Sequence, residues 1–94
     1  MRYRVQAERS ARKAVEKLPI DVARRLVARY EELMRDPRPP GVKKLSGKPN
    51  TYRVRVGDYR VVYRIEDGPF TEDRVQYDGR VTIDTVGHRR DVYA

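Results

Sequence analysis

The sequence predicts an α+β domain in the order β-α-α-β-β-β, with a two-helix hairpin packed on a small antiparallel sheet. Two patterns predict this class. Apolar residues recur at helical spacing across residues 7–35, and they alternate with charged residues at a spacing of two in residues 50–66. A proline- and glycine-rich run over residues 36–41 separates the two patterns and ends the helical one.

The N-terminal third predicts one strand and two helices. Residues 2–6 alternate arginines with apolar side chains, which is typical of a strand. A helix is expected from Ala7, and Pro19 ends it at a position that suits the start of the next helix. The second helix is expected over residues 21–35. Its apolar stripe, which should face the sheet, consists of Ala23, Leu26, Val27, Tyr30, Leu33 and Met34.

Residues 50–66 predict an antiparallel hairpin whose turn is Gly57-Asp58. Because successive side chains of a strand point to opposite faces, the hairpin has one apolar face and one cationic face. The apolar face consists of Tyr52, Val54, Val56, Tyr59, Val61, Tyr63 and Ile65. The opposite face carries Arg53, Arg55, Arg60, Val62 and Arg64. We interpret the tyrosines as core packing and the arginines as the side open to a ligand.

The C-terminal third contains an irregular segment and one further strand. Residues 67–79 hold a Gly-Pro pair and several acidic side chains, so they are expected to form an extended or inserted loop between two antiparallel strands. A short strand extension around residues 75–77 is an alternative for part of that segment. The last strand is expected over residues 80–86, followed by a basic tail over residues 87–94.

Composition narrows the classes of partner and chemistry. The 94 residues form one domain, 1–94, with 22 basic and 14 acidic side chains and a formal net charge of +8. That charge favours a polyanionic partner: nucleic acid, an anionic membrane surface or an acidic protein. No apolar run approaches the length of a spanning helix, which disfavours the membrane. Zero cysteines and one histidine exclude disulfides and the usual zinc sites, so we expect a cytoplasmic protein without metal or cofactor.

The cationic face has an ordinary explanation and a functional one. Outer faces of antiparallel sheets are commonly charged because they are solvated. Here, however, six arginines are expected to converge, with Glu66 and Asp84 as the only carboxylates nearby: Arg53, Arg55, Arg60, Arg64, Arg89 and Arg90. Concentrated like charge is costly to a fold, and a guanidinium fork pairs with two phosphate oxygens at once. The functional explanation is therefore favoured.

Four segments resemble the RelE toxins of bacterial and archaeal toxin–antitoxin modules, within the wider RelE/ParE superfamily. They are Leu18-Pro19, residues 36–45, residues 52–65 with their Val-Gly-Asp-Tyr-Arg-Val-Val-Tyr core, and residues 86–93. The resemblance implies a RelE-like, microbial-ribonuclease-like fold and ribosome-dependent cleavage of mRNA in the ribosomal A site, which inhibits translation. It also implies a cognate antitoxin as partner in a hetero-oligomer. Residues 67–79 depart from the family's tight hairpin.

The resemblance also assigns residues. The positions that match the family's catalytic set are Arg53, Arg55, Arg60, Arg89 and Tyr93, with His88 as a further candidate. Lys43, Lys44 and Lys48 resemble the family's surface that contacts RNA and the ribosome. We add Arg64 and Arg90 to that surface because of their charge, and not because of the resemblance. The best-studied family pattern has lysines where this chain has Arg53 and Arg55. Arginine cannot give up its proton as a lysine with a lowered pKa can.

Metal-free RNA cleavage by the 2′-oxygen needs a base for the 2′-OH proton, stabilisation of the phosphorane and an acid for the 5′-oxygen. The arginines suit the second task. Tyr93 is our first candidate for the base, because neighbouring guanidinium groups would lower its pKa, with Arg60 and Arg89 on the phosphate. His88 is the alternative base, and protonation of the 5′-oxygen would fall to Arg89, a poor acid, or to His88.

Two other functions stay open at the level of sequence. A ParE-like toxin would share the fold, inhibit DNA gyrase and cleave nothing, because function resides in the site rather than in the fold. A catalytically silent basic domain would only bind nucleic acid through its charge, with strong salt dependence. The hairpin arginines together with Arg89 and Tyr93 favour the nuclease.

Overall fold

A computed structural model describes residues 1–88 of the chain, and residues 89–94 lie outside the described part. The elements, in chain order, are β1 Tyr3–Ala7, α1 Arg9–Glu16, α2 Ile20–Arg35, β2 Lys43–Lys44, β3 Thr51–Val56, β4 Tyr59–Glu72 and β5 Val75–His88. The predicted α+β class and the helical hairpin are confirmed. The two-residue strand β2 was not predicted from the sequence. Neither helix in residues 1–88 is long and apolar enough to cross a membrane.

The five strands form one mixed sheet in the order β1-β5-β4-β3-β2. β1 runs parallel to β5, with Tyr3 opposite Gly79 and Ala7 opposite Ile83, and the other pairs are antiparallel. The sequence predicted an antiparallel sheet, and the parallel β1–β5 pair is where the structure departs from that prediction. Both helices and three strands separate β1 from β5 along the chain, so no tight turn dictates the direction of this pair.

One face of the sheet packs against the helices. α2 contributes Leu26 and Leu33, both fully buried, and α1 contributes Ala11. The strands contribute Tyr3, Val54, Val56, Val61, Tyr63, Ile65, Val81, Ile83 and Val86. The apolar face predicted for the β3–β4 hairpin is therefore the core face of the sheet. The Tyr63 hydroxyl on this face donates to the Pro37 carbonyl at 2.8 Å, so the buried phenol has a hydrogen-bond partner.

The stripe predicted for α2 is only partly buried. Leu26 and Leu33 face the sheet, but Val27 and Met34 are 49% and 42% exposed. Since an α-helix has 3.6 residues per turn, the residue after each buried leucine lies roughly 100° further around the axis. Val27 and Met34 are thereby carried to the solvent side.

The segment over residues 67–79 belongs to a long β4–β5 hairpin. The two strands are continuous through it, so the prediction of a loop was wrong, and the strand extension around residues 75–77 is confirmed. Asp73 and Arg74 form the turn, with φ angles of 49° and 66°. The strand pairing shifts around Gly68, whose φ is 131°. This bulge accommodates the Gly-Pro pair without ending the strand.

Candidate functional site

The β3–β4 hairpin gathers positive charge on the sheet face that points away from the helices. Arg55 lies directly opposite Arg60 in the antiparallel ladder, so both side chains leave the same face. Arg53 is on that face as well, and its register partner on β2 is Lys43. Val54, between the two arginines of β3, is buried in the core, which fixes the strand that carries them.

These four cations line one cleft of ≈ 270 Å³. Its walls are Gly41, Lys43, Arg53, Arg55 and Arg60, and within residues 1–88 no carboxylate is among them. Gly41 contributes only backbone, at a φ of 95° that favours glycine. A concave site with one sign of charge focuses the electric field and concentrates ligands of the opposite sign.

Arg60 is the most buried of the four cations. Only 4% of its surface is exposed, and its Nη1 donates to the Tyr59 carbonyl at 3.3 Å. Arg53 is half-buried, whereas Arg55 and Lys43 are exposed. A guanidinium shielded from water attracts a bound anion more strongly, because the effective dielectric constant around it is lower. Arg60 is therefore placed to act on charge inside the cleft, and Arg55 and Lys43 on charge at its mouth.

The cleft can bind a phosphate group and stabilise additional negative charge on it. Guanidinium groups present planar forks that match two phosphate oxygens and stay charged at every physiological pH. The walls described within residues 1–88 include no histidine, carboxylate or tyrosine, so they supply charge rather than a proton acceptor. The predicted contributors Arg89, Arg90 and Tyr93 lie outside the described residues.

A second group of side chains, on the helix side, holds the loop between α2 and β2. Arg38 in that loop donates from Nε to the Tyr52 hydroxyl at 3.0 Å, and its Nη2 lies 2.8 Å from Oδ2 of Asp67. The Tyr3 hydroxyl donates to the same carboxylate. The loop is thus tied to β1, β3 and β4, and it leads directly to Lys43 in the wall of the cleft.

This network shifts the pKa values of its members. The hydrogen bond from Arg38, followed by that from Tyr3, lowers the pKa of the Asp67 carboxyl below its ordinary value. Burial, and then the hydrogen bond to Asp67, raises the pKa of the Tyr3 phenol. Sequence reasoning missed Arg38, although it lies within a segment that carries the family resemblance. Nothing local to Arg38 indicates a carboxylate that is 29 residues away in the chain.

His88 lies on the other side of the sheet from the cleft. It is the register partner of Tyr59, and the two rings meet edge to face with 5.7 Å between their centroids. Val86, two residues earlier on β5, is buried in the core, so the His88 side chain also leaves the strand on the helix side. The structure does not bring His88 together with Arg55 and Arg60.

Lys44 and Lys48 lie apart from the cleft. They line a separate open depression formed by residues 44–49. Lys44 is opposite Tyr52 in the ladder, which turns its side chain away from the face that carries Arg53. Of the three lysines expected at the RNA surface, the structure places only Lys43 with the arginines.

Arg64 shares the face of the cleft but is held by carboxylates. Its Nε lies 2.9 Å from Asp84 on β5, and its Nη2 lies 3.1 Å from Glu8, just before α1. The hydrogen bonds to Asp84 raise the pKa of the Arg64 guanidinium. Arg64 therefore joins β4 to β5 and to the residue that precedes α1, and it contributes little net positive charge to the face.

The chain is similar to toxins of type II toxin–antitoxin systems. A family model described as the ParE toxin of the type II toxin–antitoxin system parDE matches residues 1–93. No curated protein matches the chain.

Solved structures of RelE toxins are similar to the chain over almost its whole length. The archaeal RelE–RelB complex from Pyrococcus horikoshii OT3 contains a chain that is 30% identical, with 95% of this chain and 97% of that chain covered and a TM-score of 0.74. For the toxin–antitoxin complex RelBE2 from Mycobacterium tuberculosis the identity is 30%, the coverage 95% and 100%, and the TM-score 0.71. For a mutant of the E. coli toxin RelE in the free state the identity is 27%, the coverage 99% and 92%, and the TM-score 0.74.

Proposed function

Because the chain belongs to the RelE/ParE superfamily of toxins from type II toxin–antitoxin systems, we propose that it is a ribosome-dependent endoribonuclease that cleaves mRNA in the ribosomal A site. The observation that supports this function is the cleft in which Arg53, Arg55 and Arg60 face Lys43. A concave row of cations suits the phosphates of a single RNA strand, whose negative charges follow one another along the backbone.

The proposed reaction is attack of the 2′-oxygen, which gives its proton to the base, on the adjacent phosphate. The P–O5′ bond breaks, a 2′,3′-cyclic phosphate forms, and the 5′-oxygen leaves with a proton for which Arg89 is the candidate donor. The phosphorane carries more negative charge than the starting diester, so donors already aimed at the phosphate stabilise the transition state more than the ground state. Arg60, Arg55 and Arg53 fill this role. Removal of one such donor typically costs about 2.7–4 kcal/mol of transition-state stabilisation.

Proton transfer is assigned to the tail of the chain. We carry over from the family resemblance Tyr93 as the general base and Arg89 as a further phosphate ligand. Cations close to a phenol favour its ionised form and lower its pKa toward the working pH. Arg53 and Arg55 stand where the best-studied family pattern has lysines, and as arginines they contribute fixed charge rather than a proton. The position of His88 on the far side of the sheet speaks against it as the base.

The residues that line the cleft also explain why the ribosome is required. The described walls of the cleft are suited to a phosphate, but they include neither an acid–base pair nor a group that would align the 2′-oxygen with the scissile bond. A ribosome that holds mRNA in a near-attack geometry supplies this alignment. The substrate is then mRNA on the ribosome, which is a cytoplasmic assembly.

A cognate antitoxin is the expected protein partner. RelE is solved in complex with RelB from P. horikoshii, and RelBE2 from M. tuberculosis is likewise a toxin–antitoxin complex. We infer that the antitoxin of this chain forms a hetero-oligomer with it. An acidic segment that covers the cleft would neutralise the cations there and block access of RNA.

The family model gives a specific reason to keep a second function, because the matching model is the one named for ParE. A ParE-like toxin would inhibit DNA gyrase without cutting RNA. Two measurements separate the functions: mRNA cleavage on purified ribosomes and supercoiling by purified gyrase, each with this chain added.

Two variants make the assay specific. Arg60→Ala should abolish cleavage, whereas Arg12→Ala, which removes the same charge from the exposed side of α1, should leave it unchanged. Intact mRNA together with inhibited gyrase would contradict the nuclease and establish the ParE-like function. Cleavage that survives Arg60→Ala would contradict the role of the cleft.

A further inference from the structure

Helix α2 exposes three large apolar side chains in one line. Ile20, Val27 and Met34 are 69%, 49% and 42% exposed, and the only other exposed large apolar side chain in residues 1–88 is Met1. The three are seven residues apart, so each lies about 10.5 Å along the helix from the next and almost directly above it. Single exposed apolar residues are ordinary, but a line along one helix marks an interaction surface.

The three exposed side chains occupy the same position of a seven-residue (heptad) repeat. With Ile20, Val27 and Met34 at the a positions, Ala23 and Tyr30 occupy the d positions between them. Ala23 and Tyr30 are half-buried beside the line. Leu26 and Leu33, at the g positions, are fully buried against the sheet. α2 therefore has two apolar faces, one occupied by its own core and a second that is suited to another helix.

We propose that α2 packs antiparallel against α2 of a second copy of this chain. The line is symmetric about Val27, since Ile20 precedes it by seven residues and Met34 follows it by seven. A two-fold axis near Val27 would pack the two Val27 side chains together and place Ile20 of each copy against Met34 of the other. The same patch then serves both copies, as a closed dimer requires.

Charge supports this direction of packing. Arg24 and Glu31, both exposed, occupy the e positions on one flank of the line, and neither takes part in an ion pair with another of residues 1–88. In an antiparallel pair the e positions of the two helices face each other. Arg24 of each copy therefore lies beside Glu31 of the other, which makes two opposite-charge contacts. In a parallel pair the e positions would face the buried leucines at g.

The dimer leaves the cleft accessible. The helices cover the face of the sheet opposite to Arg53, Arg55 and Arg60, so two copies joined through α2 point their cationic faces away from each other. Dimerisation through α2 is therefore independent of the nuclease activity, and it would occur in a gyrase inhibitor as well.

The expected association is weak. α2 has 16 residues and is about 24 Å long, and one helix pair buries less than the roughly 800 Å² per partner of a standard stable complex. Each copy also carries +8, which opposes association at low salt. We expect a dissociation constant on the order of 10 µM once the repulsion is screened at about 0.3 M salt.

Sedimentation velocity of the purified chain between about 1 and 500 µM tests the proposal. The chain should shift from monomer to dimer, and Val27→Glu should weaken dimerisation at least tenfold while its circular dichroism spectrum stays unchanged. A matched control, Arg12→Glu on the exposed side of α1, should dimerise like the wild type. A chain that stays monomeric throughout, or a dimer unaffected by Val27→Glu, would overturn the inference.

Charge reversal tests the direction of packing without touching the apolar line. Arg24→Glu and Glu31→Arg should each weaken dimerisation, because each creates like-charge contacts across the interface. The double variant Arg24→Glu/Glu31→Arg should restore it, since the two charges exchange places. If the double variant is as weak as the single variants together, the antiparallel second copy is not the occupant of this surface.

Discussion

Arg55 and Arg60 face each other directly across the β3–β4 ladder, with both side chains on the face away from the helices. Opposite residues of an antiparallel pair have their Cβ atoms about 5 Å apart, so two like charges are held together by the strand register itself. Such a pair is unfavourable for folding and useful for binding a phosphate.

Arg55→Gln should separate these two effects. Removal of one like charge from a directly opposed pair should leave the free energy of unfolding unchanged or raise it by up to about 1 kcal/mol. Loss of a transition-state donor should lower single-turnover cleavage on ribosomes by at least about 100-fold. Urea titration and the cleavage assay measure the two quantities on the same preparation. A variant that is clearly destabilised yet cuts normally would show that Arg55 is structural.

The ion pair between Arg38 and Asp67 should make stability depend on pH. Asp67→Asn should lower the free energy of unfolding at pH 7 by up to about 1 kcal/mol, a modest value because both side chains are partly exposed. The pKa of Asp67 in the folded state lies below its unfolded value. The contribution is therefore present above about pH 4 and is lost as the pH falls through the folded-state pKa.

The measurement is the urea midpoint of wild type and Asp67→Asn at about pH 7 and about pH 2.5. The two proteins should differ at the higher pH and converge at the lower one. An equal difference at both values would mean that the carboxylate charge contributes nothing and that only the shape of the side chain matters.

Gly79→Ala should destabilise the junction of β1 and β5. A methyl group at Gly79 would lie 2.6 Å from the Glu66 carbonyl oxygen and would collide with the Tyr3 ring as well. The carbonyl belongs to the neighbouring strand and cannot move without disrupting the ladder, so we expect a loss of about 1–3 kcal/mol. Thermal unfolding of this variant should be compared with that of Thr85→Ala, an exposed position on the same strand. Equal melting temperatures for the two variants would show that the junction is less tightly packed than the structure indicates.

Tyr93→Phe and His88→Gln should have opposite outcomes. If Tyr93 is the general base, loss of its hydroxyl should slow cleavage by about 10²–10⁴-fold, while ribosome binding is retained. His88→Gln should change the rate by less than about threefold, because the ring lies against Tyr59 on the far side of the sheet. Normal cleavage by Tyr93→Phe would remove the tyrosine from the mechanism, and a large loss in His88→Gln would restore the histidine.

The parts of the fold that sequence predicted are those with strong local patterns. The alternation through residues 51–66 determines both the hairpin and its two faces, since a strand has a side-chain period of two. The direction of β1 depends on its pairing with β5 some 76 positions later in the chain, and local pattern carries no information about such a contact. The Gly68-Pro69 pair predicted a loop, but the strand ladder continues past the pair with a bulge.

For the site as well, the sequence predicted residues within one strand pattern but not those brought in by strand pairing. Strand alternation identifies Arg53, Arg55 and Arg60, but only the pairing of β2 with β3 brings Lys43 to them. The alternation along β5 could not predict on which face of the sheet the His88 side chain lies. Ile83 pairs with Tyr63 and Thr85 pairs with Val62, so Asp84 between them is an extra residue in β5. That extra residue reverses the alternation over residues 85–88, and His88 therefore points to the helix side.

We propose that this chain cuts mRNA where the ribosome presents it to the cationic cleft. Primer extension on a single defined mRNA, with and without purified ribosomes stalled at a known codon, tests it most directly. We predict one discrete cut at the A-site codon that requires the ribosome and disappears with Arg60→Ala. Cuts scattered along naked mRNA, or an intact message on ribosomes that bind the protein, would contradict the account.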